Sequence, residues 1–332
     1  MKSFILLLIS LLPWKLCNLG YRFLGYKISW RAKIGFFVII DAKGKVVIDH
    51  HACIKSFVYI KCHDLIMDSN STIASFCMIN SPIISIGRDS LISNCVIIRS
   101  GHVSKESGII IGDLVHIFPF VIIDCSRLVT IGDETGIGSY CNIYTHSAYK
   151  SILQGYRVTY GNITIGKRVE LTYNVFVAPG VTIEDDAICS YGSYVNKNVP
   201  SGTMVAGLPA VIKRTKEQII GDVSDIEKEN ILQKIINDYN ETITIINNRK
   251  PIRIILICNK SVETSESKVI YLLYNSEIKL QKNCRYAVFD ICKKICFNHG
   301  LEKKDFKDFR KFLSRYGIKF LTKDIGFNEN IN

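Results

Sequence analysis

The sequence contains no acidic residue before Asp41, no C-x-x-C pair, and no apolar run long enough to cross a bilayer. The apolar stretch at residues 4–12 is too short to span and lacks the small-x-small site of a cleaved signal peptide, so it is expected to stay on the chain. Twelve Cys without paired spacing argue against a disulfide scaffold and for buried thiols in a reducing compartment. The 42 Lys and Arg exceed the 30 Asp and Glu, but the excess is not gathered into an aromatic-rich reading module, so nucleic acid is not an expected partner. A composition of 48% hydrophobic and 22% charged residues excludes a disordered or collagen-like chain. The length suggests two domains with room for a large core.

What replaces the missing acids at the start is basic and aromatic. Lys2, Lys15, Arg22, Lys27, Arg31 and Lys33 alternate with Leu, Phe, Tyr and Trp over residues 1–40. Such an amphipathic segment can lie on an anionic membrane surface or cap the core that follows, and both readings stand at this point.

The rest of the chain is organised by a repeat. Aliphatic residues recur every six positions in groups of three: Ile28, Ile34, Ile40; Ile48, Ile54, Ile60; Met67, Ile73, Ile79; Ile86, Ile92, Ile98. The series continues with Ile111, Ile117, Ile123; Ile131, Ile137, Ile143; Ile165, Leu171, Val177; Ile183, Cys189, Val195. Four residues after the first two members of every group stands a small or β-branched residue, from Ala32 and Val38 to Ala187 and Ser193. Short strands that turn a corner every six residues satisfy this pattern, three faces making a coil of 18 residues. Eight coils stacked at strand spacing give a prism about 35 to 40 Å long, each coil burying its inner face against its neighbours. The gaps between groups are 8, 7, 7, 13, 8, 22 and 6 residues, so every insertion falls at one corner. The two long ones, residues 99–110 and 144–164, leave the same edge of the prism two coils apart.

Here the sequence resembles the hexapeptide-repeat acyltransferases. The units I-G-R-D-S-L (86–91), I-G-D-E-T-G (131–136) and I-G-K-R-V-E (165–170) are similar to the family signature. The ending G-S-Y-V-N-K-N-V-P-S-G-T-M-V-A-G-L-P-A-V-I-K-R (192–214) is similar to the segment that closes the helix in sugar O-acetyltransferases. The resemblance implies a trimeric left-handed parallel β-helix over residues 28–215, transferring an acetyl group from acetyl-CoA to a saccharide. The catalytic base it implies is His146, in the second long insertion. A positioned imidazole that takes the proton of an attacking hydroxyl contributes about 10² to 10⁴ in rate. For the donor, Gly180 and the Gly192–Ser193 step are poor in side-chain bulk, so their backbone amides can meet the pantetheine arm; Asn174, grouped with them beside the acetyl site, stands where many relatives have Asn and would orient the His or the acceptor, or is a simple corner residue. By resemblance, Pro209 and Ala210 would lie by the adenine, with Lys213 and Arg214 on the phosphates.

Among the other histidines, His50, His51, His63 and His299 have no matching context, His116 lies on the outer side of a strand, and His102 in the first insertion is a possible contact to acceptor or donor. No paired His motif suggests a zinc site of the γ-carbonic anhydrase kind, and no metal is expected. The sequence departs from the family at Val169, Glu170, Leu171, Thr172 and at Glu184, where relatives read V-W-I-G and Gly. Those departures bear on the acceptor. An amino sugar acceptor, giving N-acetylation, and a catalytically silent scaffold remain as alternatives.

After Arg214 the six-residue rhythm stops. Residues 216–246 read as helix, 252–258, 268–274 and 285–297 as strands, and a final helix carries Phe306, Phe309, Phe312 and Leu313 as core. Residues 216–332 are therefore expected to form a small α+β domain, and residues 1–27 a helical cap. The whole reads as an O-acetyltransferase of surface polysaccharide assembly, cytoplasmic or peripheral at the inner membrane face. Its acceptor would be a saccharide, lipid-linked where the basic N-terminus is membrane-bound.

Overall fold

All 24 residues of the aliphatic series point inward, none more than 3% exposed. They do so in a computed structural model that describes residues 2–147, 150–245, 248–264, 266–280 and 284–323. The chain divides into two units, Met1–Ile220 and Gly221–Asn332.

The first unit is a left-handed parallel β-helix whose three sheets have eight, ten and eight strands. On the first face Ile28 stands opposite Ile48, followed by Met67, Ile86, Ile111, Ile131, Ile165 and Ile183. The register passes across the 22-residue insertion without a slip, because one residue of slip would turn every aliphatic side chain to solvent.

The corners refine the sequence reading. Except at Ala32 in the first coil, the bend is made by the residue before each small one, in the left-handed region. Between first and second faces these include Asp89, Leu114, Glu134, Arg168 and Asp186. Between second and third faces they are Phe37, Phe57, Phe76, Cys95, Phe120, Tyr140, Asn174 and Gly192. The small residue is buried behind the bend, as Ala32, Val38, Thr135 and Cys141 are. Left-handed backbone costs a residue with a Cβ about 1 to 2 kcal/mol. Stacking between coils offsets part of it: the rings of Phe37, Phe57 and Phe76 stack at 5.2 Å, and Phe120 on Tyr140 at 5.1 Å. The glycine of the I-G units has a different cause, since a Cβ on Gly132 would come within 2.6 Å of the Gly166 carbonyl carbon in the next coil.

Both ends are closed. The expected N-terminal segment is two helices, Lys2–Ser10 and Trp14–Phe23, separated at Pro13. Leu6, Ile9, Cys17 and Tyr21 pack on the first coil. Tyr21 also supplies hydrogen bonds that a preceding coil would have made: its hydroxyl accepts from Ile40 N–H at 3.1 Å and donates to Val38 O at 2.8 Å. At the other end the eight coils are followed by a partial ninth. Val199 bridges Ile183, Met204–Ala206 adds in parallel to Ile188–Cys189, and Val211–Arg214 turns back antiparallel.

In the second unit Arg253–Cys258, Val269–Tyr274 and Tyr286–Asp290 form a parallel sheet, continued by Ile295–His299 and Leu321–Thr322. The run at 285–297 is thus two antiparallel strands rather than one, split by a turn in which Asp290 accepts from Lys293 N–H. A second parallel pair, Ser261–Thr264 with Glu277–Leu280, was not legible in the pattern. The expected helix at 216–246 is broken into Lys216–Ile219 and Asp225–Ile245, the latter begun by reciprocal capping between Ser224 and Glu227. Tyr239 packs on Phe309 and Phe312, which are core as expected. Of the expected domain, residues 324–332 lie outside the described residues, as does residue 246 of the helix.

Candidate active site

Both long insertions converge on one carboxylate that the sequence reading did not single out. Asp124 follows the inward Ile123 at the corner where the insertions leave, and it is 1% exposed. In register it lies opposite Tyr144 of the next coil, so the two residues after Tyr144 reach back over it. Thr145 Oγ1 donates to Asp124 Oδ1 at 2.8 Å, His146 Nδ1 lies 2.9 Å from the same oxygen, and Ser126 N–H donates to it at 3.1 Å. Ser126 Oγ donates to Oδ2 at 3.2 Å. Burial pushes the Asp124 carboxyl up, but the bonds from Thr145, His146 and Ser126 outweigh it and hold the group below its ordinary value. Asp124 is therefore ionised, and as the acceptor facing Nδ1 it sets that nitrogen as the donor and turns Nε2 away from the carboxylate.

The walls come from both insertions. His146–Ser147 pairs with Thr159–Tyr160 across the second, laying the Tyr160 ring against the imidazole at 5.8 Å. The Arg127 guanidinium sits 4.5 Å over Tyr160 and donates to Ser126 O. From the first insertion, His102 N–H donates to Ser126 Oγ and its ring lies 6.1 Å from that of Tyr160. A Cβ on Gly101 would stand 3.7 Å from His146 Cε1. His102 thus joins the His146 cluster, whereas His116 stacks on Phe118 and reaches Ser93 on the second face.

The expected donor residues are not gathered around His146 in one chain. Gly180 is on the same corner as the insertions, where its Cα lies 2.5 Å from where a Cβ on Gly161 would stand; the insertion crosses there because Gly161 has no side chain. Asn174, Gly192 and Ser193 are on the corner between second and third faces, with the third face between them and His146. The amides of Gly192 and Ser193 donate to Tyr173 O and Ser190 O, and Ser193 is buried, so the expectation that these amides are open to a pantetheine arm is corrected. Ala210, which follows Pro209, lies against Tyr194, whose carbonyl accepts from Ala210 N–H. Lys213 and Arg214 are exposed on the terminal strand. Glu184 replaces the family glycine without a clash because no full coil lies above it, and its carboxylate accepts from Ser201 N–H.

Among the described residues no group of three or more His, Cys, Asp or Glu is placed to hold a metal ion. The twelve cysteines are thiols rather than disulfides, eight of them buried. Burial pushes Cys141 up to about 11 and Cys189 up to about 12, which leaves both protonated and poor nucleophiles at neutral pH.

No family model matches the chain. It is 36% identical over 91 residues to a Bacillus subtilis protein provisionally named acetyltransferase YvoF, covering 27% of this chain and half of that one. It is 34% identical over 125 residues to an Escherichia coli protein provisionally named colanic acid biosynthesis acetyltransferase WcaF, covering 32% of this chain and 69% of that one. Among solved structures, the hexapeptide-repeat acetyltransferase VCA0836 of Vibrio cholerae is 29% identical with a TM-score of 0.33, over 40% of this chain and 73% of that one. LpxA of Acinetobacter baumannii is 15% identical with a TM-score of 0.45, over 68% and 88%. With its six-residue rhythm and the match to WcaF, the chain belongs to the hexapeptide-repeat acetyltransferases.

Proposed function

We propose that the protein transfers an acetyl group from acetyl-CoA to a saccharide hydroxyl, with His146 as general base. The observation that carries this reading is the His146–Asp124 pair, an imidazole held by a buried carboxylate between two inserted loops. Nε2 takes the hydroxyl proton as the oxygen attacks the thioester carbonyl. The tetrahedral intermediate then expels the CoA thiolate, which recovers that proton from the imidazolium, giving the O-acetyl sugar and CoA. No protein nucleophile is needed, so no acyl-enzyme forms, in keeping with the protonated Cys141 and Cys189.

Asn174, Gly180, Pro209 and Ala210 would contact the donor, with Lys213 and Arg214 on its phosphates. Gly192 and Ser193 would shape the wall rather than bond to it. A homotrimer would bring the donor corner of one prism to the His146 corner of the next. No described helix is long and apolar enough to cross a membrane. The proposed setting is cytoplasmic, peripheral at the inner membrane face, with a lipid-linked saccharide as acceptor. The reading is tested by thioester release from acetyl-CoA against a panel of saccharides with free hydroxyl or amino groups. Turnover that survives intact in His146→Ala would overturn it.

A further inference from the structure

The N-terminal helices bury one face on the first coil and leave the opposite face apolar as well. In Trp14–Phe23 the buried side is Cys17, Asn18 and Tyr21, and the far side carries Leu16, Leu19 and Phe23, with Lys15 beside them. In Lys2–Ser10 the buried side is Leu6 and Ile9, and the far side is Phe4, Leu7 and Leu8. Phe23 is 82% exposed and Phe4 is 65% exposed. Because the near side closes the open end of the β-helix, the far side looks away from the coils along its axis. The surrounding cations Lys15, Lys27, Arg31 and Lys33 have no acid among the first forty residues to answer them.

We propose that this outer face docks on an anionic lipid bilayer and stands the β-helix upright, so that the active site works at a fixed height above the membrane. Charge decides the occupant. Two copies meeting through this face would bring Lys15 and its neighbouring cations against one another, whereas anionic headgroups complement them and the acyl region takes the apolar side chains. His146 leaves the sixth coil, five steps above the first; at about 4.8 Å per step, with a helical layer about 10 Å thick partly sunk in the headgroups, it stands roughly 25 to 30 Å above the surface. A single sugar on a lipid anchor does not span that height. The acceptor is therefore a lipid-linked oligosaccharide of several units, acetylated away from its anchor. This rests on the acetyl-transfer reading above.

The test uses the full chain with vesicles of phosphatidylcholine alone or mixed with phosphatidylglycerol. Trp14 and Trp30, the two tryptophans of the sequence, both lie at the cap and report docking directly. Expected are co-sedimentation with the anionic vesicles, a blue shift of the emission, and quenching by lipids brominated in the acyl chain. Leu16→Glu with Leu19→Glu should weaken partition at least tenfold. Lys15→Glu with Arg31→Glu should lower it by roughly fivefold or more per charge at low salt, and less at high salt. A fluorophore on Leu153→Cys, in the same insertion as His146 and in a Cys292→Ser background, should sit about 25 to 30 Å from acceptor dyes at the bilayer surface. A protein that stays in solution with every vesicle, or variants that dock as tightly as the parent, would overturn docking by this face. A label lying at the headgroups would overturn the upright stance and the acceptor length. Thioester release with soluble saccharides, and its loss in His146→Ala, tests the transfer reaction separately and fails independently of docking.

Discussion

Replacing Asp124 with Asn separates what the carboxylate does by charge from what it does by geometry. Three donors converge on Oδ1, from Thr145, His146 and Ser126 N–H, whereas Oδ2 meets only the rotatable Ser126 hydroxyl. An Asn therefore places its oxygen at the Oδ1 position and its amide at Oδ2, where the Ser126 hydroxyl can turn to accept. The bond to His146 Nδ1–H survives, Nε2 stays an acceptor, and only the negative charge is lost. A hydrogen bond to a charged group is worth about 1.5 to 3 kcal/mol net, against about 0.5 to 1.5 for a neutral one. His146 is 26% exposed, which screens the difference. The expected loss of transition-state stabilisation is about 1 to 2 kcal/mol, or roughly 5- to 30-fold in kcat/KM. Thioester release under subsaturating acceptor measures it directly. A loss as large as that of His146→Ala would mean the Asn had settled the other way and inverted the imidazole tautomer, refuting the convergence argument. No loss at all would remove Asp124 from the machinery.

His146→Ala should lower turnover by about 10² to 10⁴ while CoA still binds by calorimetry, and His102→Ala should cost less, because its ring lies beyond Tyr160 rather than on the Asp124 carboxylate. Asp124 is held below its ordinary value when folded, so its contribution to stability is present above the unfolded carboxyl range and is lost as pH falls through the folded value. Acid unfolding followed by circular dichroism should accordingly be less pH-dependent in Asp124→Asn below about pH 4. Ile117→Ala, at a fully buried position in the fifth coil, should lower unfolding free energy by about 2 to 5 kcal/mol in denaturant titration; a cost under 1 kcal/mol would mean the coils repack freely.

The six-residue period was enough to place all 24 inward side chains and the register of eight coils, because burial on one face leaves no alternative pairing. It could not show which residue bends the corner, since Phe37, Leu114 and Tyr140 carry no mark of left-handed backbone, unlike a glycine. The break at Pro13 and the capping pair Ser224 and Glu227 carry recognisable local signals, a proline and a Ser-x-x-Glu spacing. His146 was marked by the family resemblance together with its place in a long insertion, but Asp124 was not. It follows an inward isoleucine 22 residues earlier, and only the stacking of coils brings Thr145 and His146 over it. Its one visible mark was an acid at a corner that in the neighbouring coils carries Arg99 and Tyr144.

The placement of His146 and of the proposed donor residues Asn174, Lys213 and Arg214 on different parts of the prism leads to a test of assembly that needs no knowledge of the acceptor. His146 is at the corner between third and first faces, while Asn174 is at the opposite end of the third face and Lys213 and Arg214 extend the second. If base and donor residues of one working site come from adjacent prisms, a His146→Ala chain and a Lys213→Glu, Arg214→Glu chain are each inactive alone but complement when co-assembled. In a ring of three with random equal mixing, a site works when one neighbour has its base and the other its donor groups, which happens for about one site in four. Co-refolding the two variants should therefore restore about a quarter of wild-type thioester release, whereas mixing them as preformed assemblies restores none until subunits exchange. Sites completed within one chain would give no recovery under either protocol, and that result would refute the shared site.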